Sequence, residues 1–257
     1  MLNKREIDKI LNINTKKENI FDIIGKMQVL LDELKKFPYH KGLMPFLETY
    51  YLVTKKVAEK NIEHKHYYKN YNQLEKLDLH FASLYFKPLN SYLKKREYIK
   101  PWQTYFKYCK DSNGIPFVQM LLGINVHINA DLLTSLVYLD YKEKTDFLAI
   151  NTVLKDTIAE VMKFLAFKEK DFFGFSGLLF KKFITTEFKD IVVKWRLNTY
   201  KNSLILNNRN IQRYRPIIYE QTENISKDII KIFNSPYSFK DLLDEKSELH
   251  KLKVKLN

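Results

Sequence analysis

The residues best suited to chemistry lie close together. Asn125, His127, Asn129 and Asp131 sit inside IPFVQMLLGINVHINADLLTSLVYL, residues 115–139, a stretch apolar on nearly every side. A helix of that composition belongs at the centre of a bundle, and polar side chains within it are costly unless satisfied. On a helix His127 and Asp131 stand one turn apart on one face, and Asn125 and Asn129 are paired in the same way on a roughly opposite face. His-x-x-x-Asp lets an imidazole nitrogen and a carboxylate oxygen converge beside the helix, so the pair could hold a single divalent metal, zinc, iron or manganese. Without metal, Asp131 could orient the ring so that His127 acts as a general base. The competing expectation is a buried hydrogen-bonded network that fixes helix register, the two Asn residues bonding to neighbouring backbones.

Other residues are candidates to join the pair. Asn151, in DFLAINTVL, interrupts an apolar stretch and is expected to face the same pocket, in a catalytic role beside His127 and Asp131. Asp146 either lines that pocket or opens its own helix as an N-cap. Trp102 and Tyr85 could wall the pocket, although aromatics at helical spacing are usually core. His40 follows Phe37-Pro38-Tyr39 and reads as an exposed turn histidine. Glu63-x-x-His66 is one half of a di-iron signature with no second copy. Gly174-Phe175-Ser176-Gly177 is not a nucleophile elbow, and no phosphate-cradling glycine motif is present.

The elements that must position these residues are helices. Only six glycines and seven prolines punctuate the 257 residues, and apolar positions recur at three and four. Helices are expected near 18–36, 42–60, 72–86, 101–110, 116–139, 146–165, 185–208, 217–233 and 238–250. Pro88 is expected to stop the third and Pro101 to start the fourth. Residues 61–73 read as a loop, and 172–177 as a break. The short connection 140–145 should lay the next helix antiparallel to the central one. The expected fold is a single all-α domain over 1–257, eight or nine helices packed around the helix 116–139, with 1–16 and 251–257 as loosely ordered tails.

Composition bounds the function. One cysteine, Cys109, cannot close an internal disulfide, which excludes a stapled secreted scaffold and suggests a reducing compartment. The amino terminus, MLNKREIDKILN, has no apolar h-region, and no segment offers about 18 uncharged apolar residues. A cytoplasmic protein without a transmembrane segment is expected. The net charge of +14 invites a nucleic-acid reading. Two segments, 55–110 and 189–215, are locally more basic, the second through Arg196, Arg209, Arg213 and Arg215, and tyrosines interleave with both. No helix-turn-helix, RNA-recognition or zinc-finger signature accompanies them, and a solvated surface explains such charge equally well.

The blocks LDLHFASLYFKPL at 77–89, PWQTYF at 101–106, LLGINVHINADL at 121–132 and DFLAINTVL at 146–154 together resemble a family of uncharacterised bacterial all-helical proteins, a domain of unknown function. The resemblance spans roughly 42–165 and is most specific in Asn-x-His-Ile-Asn-x-Asp-Leu. It implies a single helical fold and brings no established activity. His80 stands where that family's pattern suggests a variable or apolar residue. More remotely, Leu122–Asp131 resembles the Leu-Gly and His-x-x-x-Asp helix of zinc-dependent phospholipase C and related helical nucleases, where that His and Asp bind zinc. Those enzymes use further histidines and an amino-terminal Trp that this chain lacks, so the resemblance implies at most a one-metal or metal-free site. The function expected is hydrolysis of a phosphoester or lipid-like ester through His127 and Asp131. The alternative is a non-catalytic protein binding nucleic acid or another anionic partner through its basic faces.

Overall fold

A computed structural model describes residues 4–110, 114–168 and 177–233. The expected helix 238–250, the tail 251–257 and residues 172–176 of the expected break lie outside the described residues. Those described form nine α-helices and no strand: α1 (Lys4–Leu11), α2 (Ile20–Lys35), α3 (Met44–Glu63), α4 (Tyr71–Leu93), α5 (Gln103–Cys109), α6 (Pro116–Tyr138), α7 (Lys144–Lys168), α8 (Gly177–Ile205) and α9 (Ile211–Phe233). The expected all-α class is what the chain adopts. One hydrophobic cluster runs from Ile7 in α1 to Ile229 in α9, with α6 packed against α3, α4, α5, α8 and α9.

Local chemistry explains where several helices begin. Asn19 accepts the backbone N–H groups of Phe21 and Asp22, and Asp22 returns the bond to Asn19, a complete capping box for α2. Asn70 caps α4 by accepting from the backbone of Gln73. Prolines occupy the first turns of α3 and α6.

Other boundaries differ from expectation. The segment expected to be a loose tail contains α1, whose Ile7 and Leu11 are buried against α2 and α4. The expected loop shrinks to His64–Asn70, because α3 continues to Glu63 and α4 starts at Tyr71. Pro88 does not end α4. It lies buried within the helix beside Leu89, and Tyr92, one turn further, stacks on Phe106 with ring centroids 4.5 Å apart. A proline inside a helix costs about 3 kcal/mol, and this burial offsets it. Pro216 similarly falls inside α9, which starts at Ile211, and α8 starts eight residues before the expected 185.

α6 has the length and apolarity of a membrane span, with a hydropathy of 1.4 over its most apolar window. That window is 89% buried by neighbouring helices, so the segment is the core of the bundle. Its backbone is not uniform: residues His127–Leu132 form a π-helical stretch between two α-helical ones. Such insertions into an α-helix often occur at functional sites.

Candidate functional site

His127 and Asp131 meet as their spacing suggested. His127 Nδ1 lies 3.0 Å from Asp131 Oδ2, and both residues are buried. The imidazole stacks on Phe81 with centroids 3.5 Å apart and interplanar angle 11°, and Tyr50 meets it edge-on at 4.5 Å. Phe46, Tyr85 and Trp102 form a second aromatic layer, at 5.6, 6.0 and 6.2 Å from the ring. Gly123 makes this shell attainable. A Cβ placed there would meet Phe46 Cγ at 2.3 Å and its Cβ at 2.7 Å.

Burial disfavours the charged form of both groups. It pushes the His127 imidazolium well below its ordinary range, with Arg196 adding to the effect. It pushes the Asp131 carboxyl well above the usual range, opposed by the Trp102 indole. That indole lies near Asp131 without normal hydrogen-bond geometry, so its Nε1 has no partner on the protein. His127 Nε2 is likewise buried without a protein partner. The nitrogen that Asp131 does not occupy therefore remains free to meet another group.

His127 lines a cavity of about 70 Å3, enough for a short file of waters or a slender chain. α3, α4, α6, α7 and α8 all contribute to its wall. This explains a departure in packing: α7 rests mainly on α3 and α8, with the cavity between it and α6, instead of lying along the central helix. The wall is mostly aliphatic, from Val53 and Val57 through Leu77 to Ile150, Leu154 and Ile158. Into it come three groups with unpartnered buried atoms: His127 Nε2, Asp78 Oδ2 and Arg196 Nη2.

The match to known proteins spans this whole arrangement. The family of unknown function DUF5995 matches residues 20–235. The chain belongs to that family. No curated protein and no solved structure matches it. The DUF5995 match covers every helix from α2 to α9, well beyond the blocks at 42–165 that first suggested it.

The structure brings together only some of the residues expected beside His127 and Asp131. Asn151 is close to them, but as a support: it accepts from Arg196 Nε at 2.8 Å and does not line the cavity. Trp102 and Tyr85 are fully buried behind His127 and outside the cavity wall. Asn125 and Asn129 lie elsewhere. Asn125 donates to the Thr222 carbonyl and to Ser226 Oγ, both at 2.9 Å, and Asn129 donates to Asn125 Oδ1 at 2.8 Å. Asn125 thus bolts α6 to α9 and Asn129 braces it from the same helix, so only Asn125 makes the bond to a neighbouring backbone that the network expectation gave to both. Asp146 is neither a pocket wall nor the N-cap of its own helix. Its two oxygens accept the backbone N–H groups of Lys69 and Asn70 at 2.7 Å each, just ahead of α4. Lysine and asparagine N–H groups there lie outside any helical ladder, so a buried carboxylate satisfies them.

Arg196 was expected on a basic surface and is instead buried, its guanidinium 4.5 Å over the Phe147 ring. Arg209 and Arg213 are exposed as expected, and Arg215 is half-buried. His80 bonds Ser135 through Nδ1 at 3.0 Å and stacks on Tyr138, away from the cavity. His40 is half-buried and does not reach it either.

A metal does not fit the donor set. His127 Nδ1 and Asp131 Oδ2 are bonded to each other, and among the described residues no three of His, Cys, Asp and Glu gather anywhere. Catalytic zinc sites use three protein ligands.

The residue that sequence reasoning missed is Asp78. In LEKLDLHF it looks like the polar face of an amphipathic helix, whereas it lines the cavity, and burial raises its carboxyl to about 7, helped by Glu75 and opposed by Arg196. Tyr68 and Tyr141, whose hydroxyls are also buried without protein partners, feel its charge. The usable signal was an acidic residue flanked by leucines, Leu77 and Leu79, both of which are buried.

Proposed function

We propose that this protein is a hydrolase-type enzyme acting on a lipid-like ester, its chain along the aliphatic wall of the cavity and its ester group at His127. The observation that carries this reading is the unpartnered His127 Nε2 in the wall of an apolar cavity, with Nδ1 already engaged by Asp131. Burial and Arg196 keep the imidazole neutral, which is the form a general base needs. In this scheme His127 Nε2 takes a proton from water as the water oxygen attacks the ester carbonyl. Arg196 is the one cation among the described cavity residues and suits the developing oxyanion. Collapse breaks the bond to the leaving alkoxide, which receives the proton back from His127. In this scheme Asp131 Oδ2 accepts the Nδ1–H and holds the ring in orientation, so that Nε2 keeps its lone pair. An aliphatic wall with one cation favours a carboxylic ester over a charged phosphoester.

The test is turnover of p-nitrophenyl acyl esters of increasing chain length. Activity should rise with chain length and fall about 10²–10⁴-fold in His127→Gln, the usual contribution of a general base. Equal turnover in the variant overturns the reading. The rival, nucleic-acid binding through exposed Arg209 and Arg213, predicts affinity that falls with salt and is indifferent to His127. Burial of Arg196 takes one cation from that surface.

A further inference from the structure

Arg196 and Asp78 share the wall of the cavity without pairing. No ion pair within 4 Å joins them, and each keeps a buried polar atom, Nη2 and Oδ2, with no partner on the protein. Opposite charges that share an apolar wall normally pair, because buried charges otherwise pay the full cost of leaving water. Arg196 is prevented from moving across. Asn151 fixes its Nε at 2.8 Å, and its guanidinium lies flat over Phe147 at 4.5 Å. Asp78 is held on α4 between the buried residues Leu77 and Leu79.

A group bridging the two must accept hydrogen bonds from a guanidinium and share a proton with a carboxyl. A carboxylate does both. It can carry only one negative charge, because Arg196 is the one cation among the described residues lining the cavity and Asp78 disfavours a second. The remaining wall is mostly aliphatic, with Phe46, Tyr50 and Phe81 beside it, so the rest of the ligand is an apolar chain.

We infer that the cavity takes a fatty-acid-like carboxylate, its head bridging Arg196 and Asp78 and its chain lying along Val53, Val57, Ile150, Leu154 and Ile158. This rests on the reading of the cavity as a ligand site and specifies its ligand class, which is also the acid that ester hydrolysis would release. It does not depend on hydrolysis occurring.

The bridge requires the Asp78 proton. The groups facing Asp78 are Arg196 from α8, Glu75 on its own helix, Tyr50 from α3, Tyr68 in the loop ahead of α4, Tyr71 at the start of α4, and Tyr141 ahead of α7. The phenols are pushed upward by burial and stay neutral, leaving Arg196 and Glu75 as the charges that tune it. Carboxylate affinity should therefore fall as pH rises through neutrality.

The experiment is displacement of Nile red from the delipidated full-length protein by decanoate and by decanol, at about pH 6 and about pH 8. Decanoate should displace the dye at about tenfold lower concentration than decanol at the lower pH, the worth of one charge-assisted bond. Its advantage should shrink at the higher pH. Arg196→Gln should abolish the preference while still releasing dye to decanol. Asp78→Asn, which keeps an N–H donor, should retain the preference and lose its pH dependence. If Arg196→Gln fails to fold, Arg196→Lys and the Asp78→Asn pH arm decide. Equal displacement by the two amphiphiles in the wild type overturns the carboxylate and leaves the ligand pocket standing. A folded Arg196→Gln that still prefers decanoate also overturns it. Failure of both amphiphiles, with His127-dependent ester turnover intact, overturns the carboxylate alone, and failure of both assays overturns the hydrolase reading with it.

Discussion

His127 Nδ1 and Asp131 Oδ2 stand 3.0 Å apart within the π-helical stretch of α6, and their contact leaves Nε2 as the ring nitrogen without a protein partner. Asp131 therefore acts through His127. Asp131→Asn should lower ester turnover about 10²-fold or more, while a non-hydrolysable ether analogue binds as in the wild type. A parallel loss of binding would make Asp131 a structural residue only.

Gly123 allows α6 and Phe46 to approach. Gly123→Ala puts a methyl within 2.3 Å of Phe46 Cγ, so the ring must shift away from His127. Overpacking of this kind costs about 1–3 kcal/mol. Thermal or urea denaturation should show that loss, and unchanged stability would mean that the helices separate freely here.

Asn125 predicts the contrasting phenotype. Asn125→Ala strands Asn129, Ser226 Oγ and the Thr222 carbonyl, at about 1–3 kcal/mol. α9 should gain hydrogen exchange, and turnover of the folded fraction should stay near wild type. A turnover loss as large as that of His127→Gln would contradict the separation of the two polar pairs.

Asp78 gives a sign that can be checked. Its carboxyl is raised to about 7 in the folded protein, against about 3.9 for an unfolded chain. Between those values the native state binds a proton that the unfolded state does not, so stability falls as pH rises, and the cost is complete above about pH 7. Asp78→Asn should remove that slope and be more stable than the wild type near pH 8, on the order of 1–3 kcal/mol. Parallel stability curves for the two proteins would show that Asp78 ionises freely.

Arg209 and Arg213 are exposed and remote from the cavity wall. Arg209→Glu with Arg213→Glu should leave ester turnover unchanged, as a steady-state assay will show, and a large drop would point to a substrate that docks on the basic face.

Much of the fold was legible because apolar periodicity marks helices, and an all-round apolar run marks a buried one. The His127–Asp131 contact was legible from spacing alone. What escaped were features decided by tertiary context. Pro88 carries the local signal of a stop, and only its burial within α4 overrides it. Arg196 sits among basic neighbours and reads as surface until α7 supplies Asn151 and Phe147 to receive it. Asp146 looks like a cap for its own helix, and its true partners are 76 and 77 positions away. Asp78 could not be told from any exposed helical acid until five helices closed a cavity over it.

The most direct test of the site is nitrogen NMR of the imidazoles in the full-length protein, titrated with a non-hydrolysable ether analogue of a long-chain ester. The chain has six histidines, and His127→Gln identifies the signals. The account predicts that the ligand moves the His127 Nε2 resonance most, with its Nδ1 resonance and the other five rings little changed. A bound ligand that leaves both His127 nitrogens where they were would contradict it.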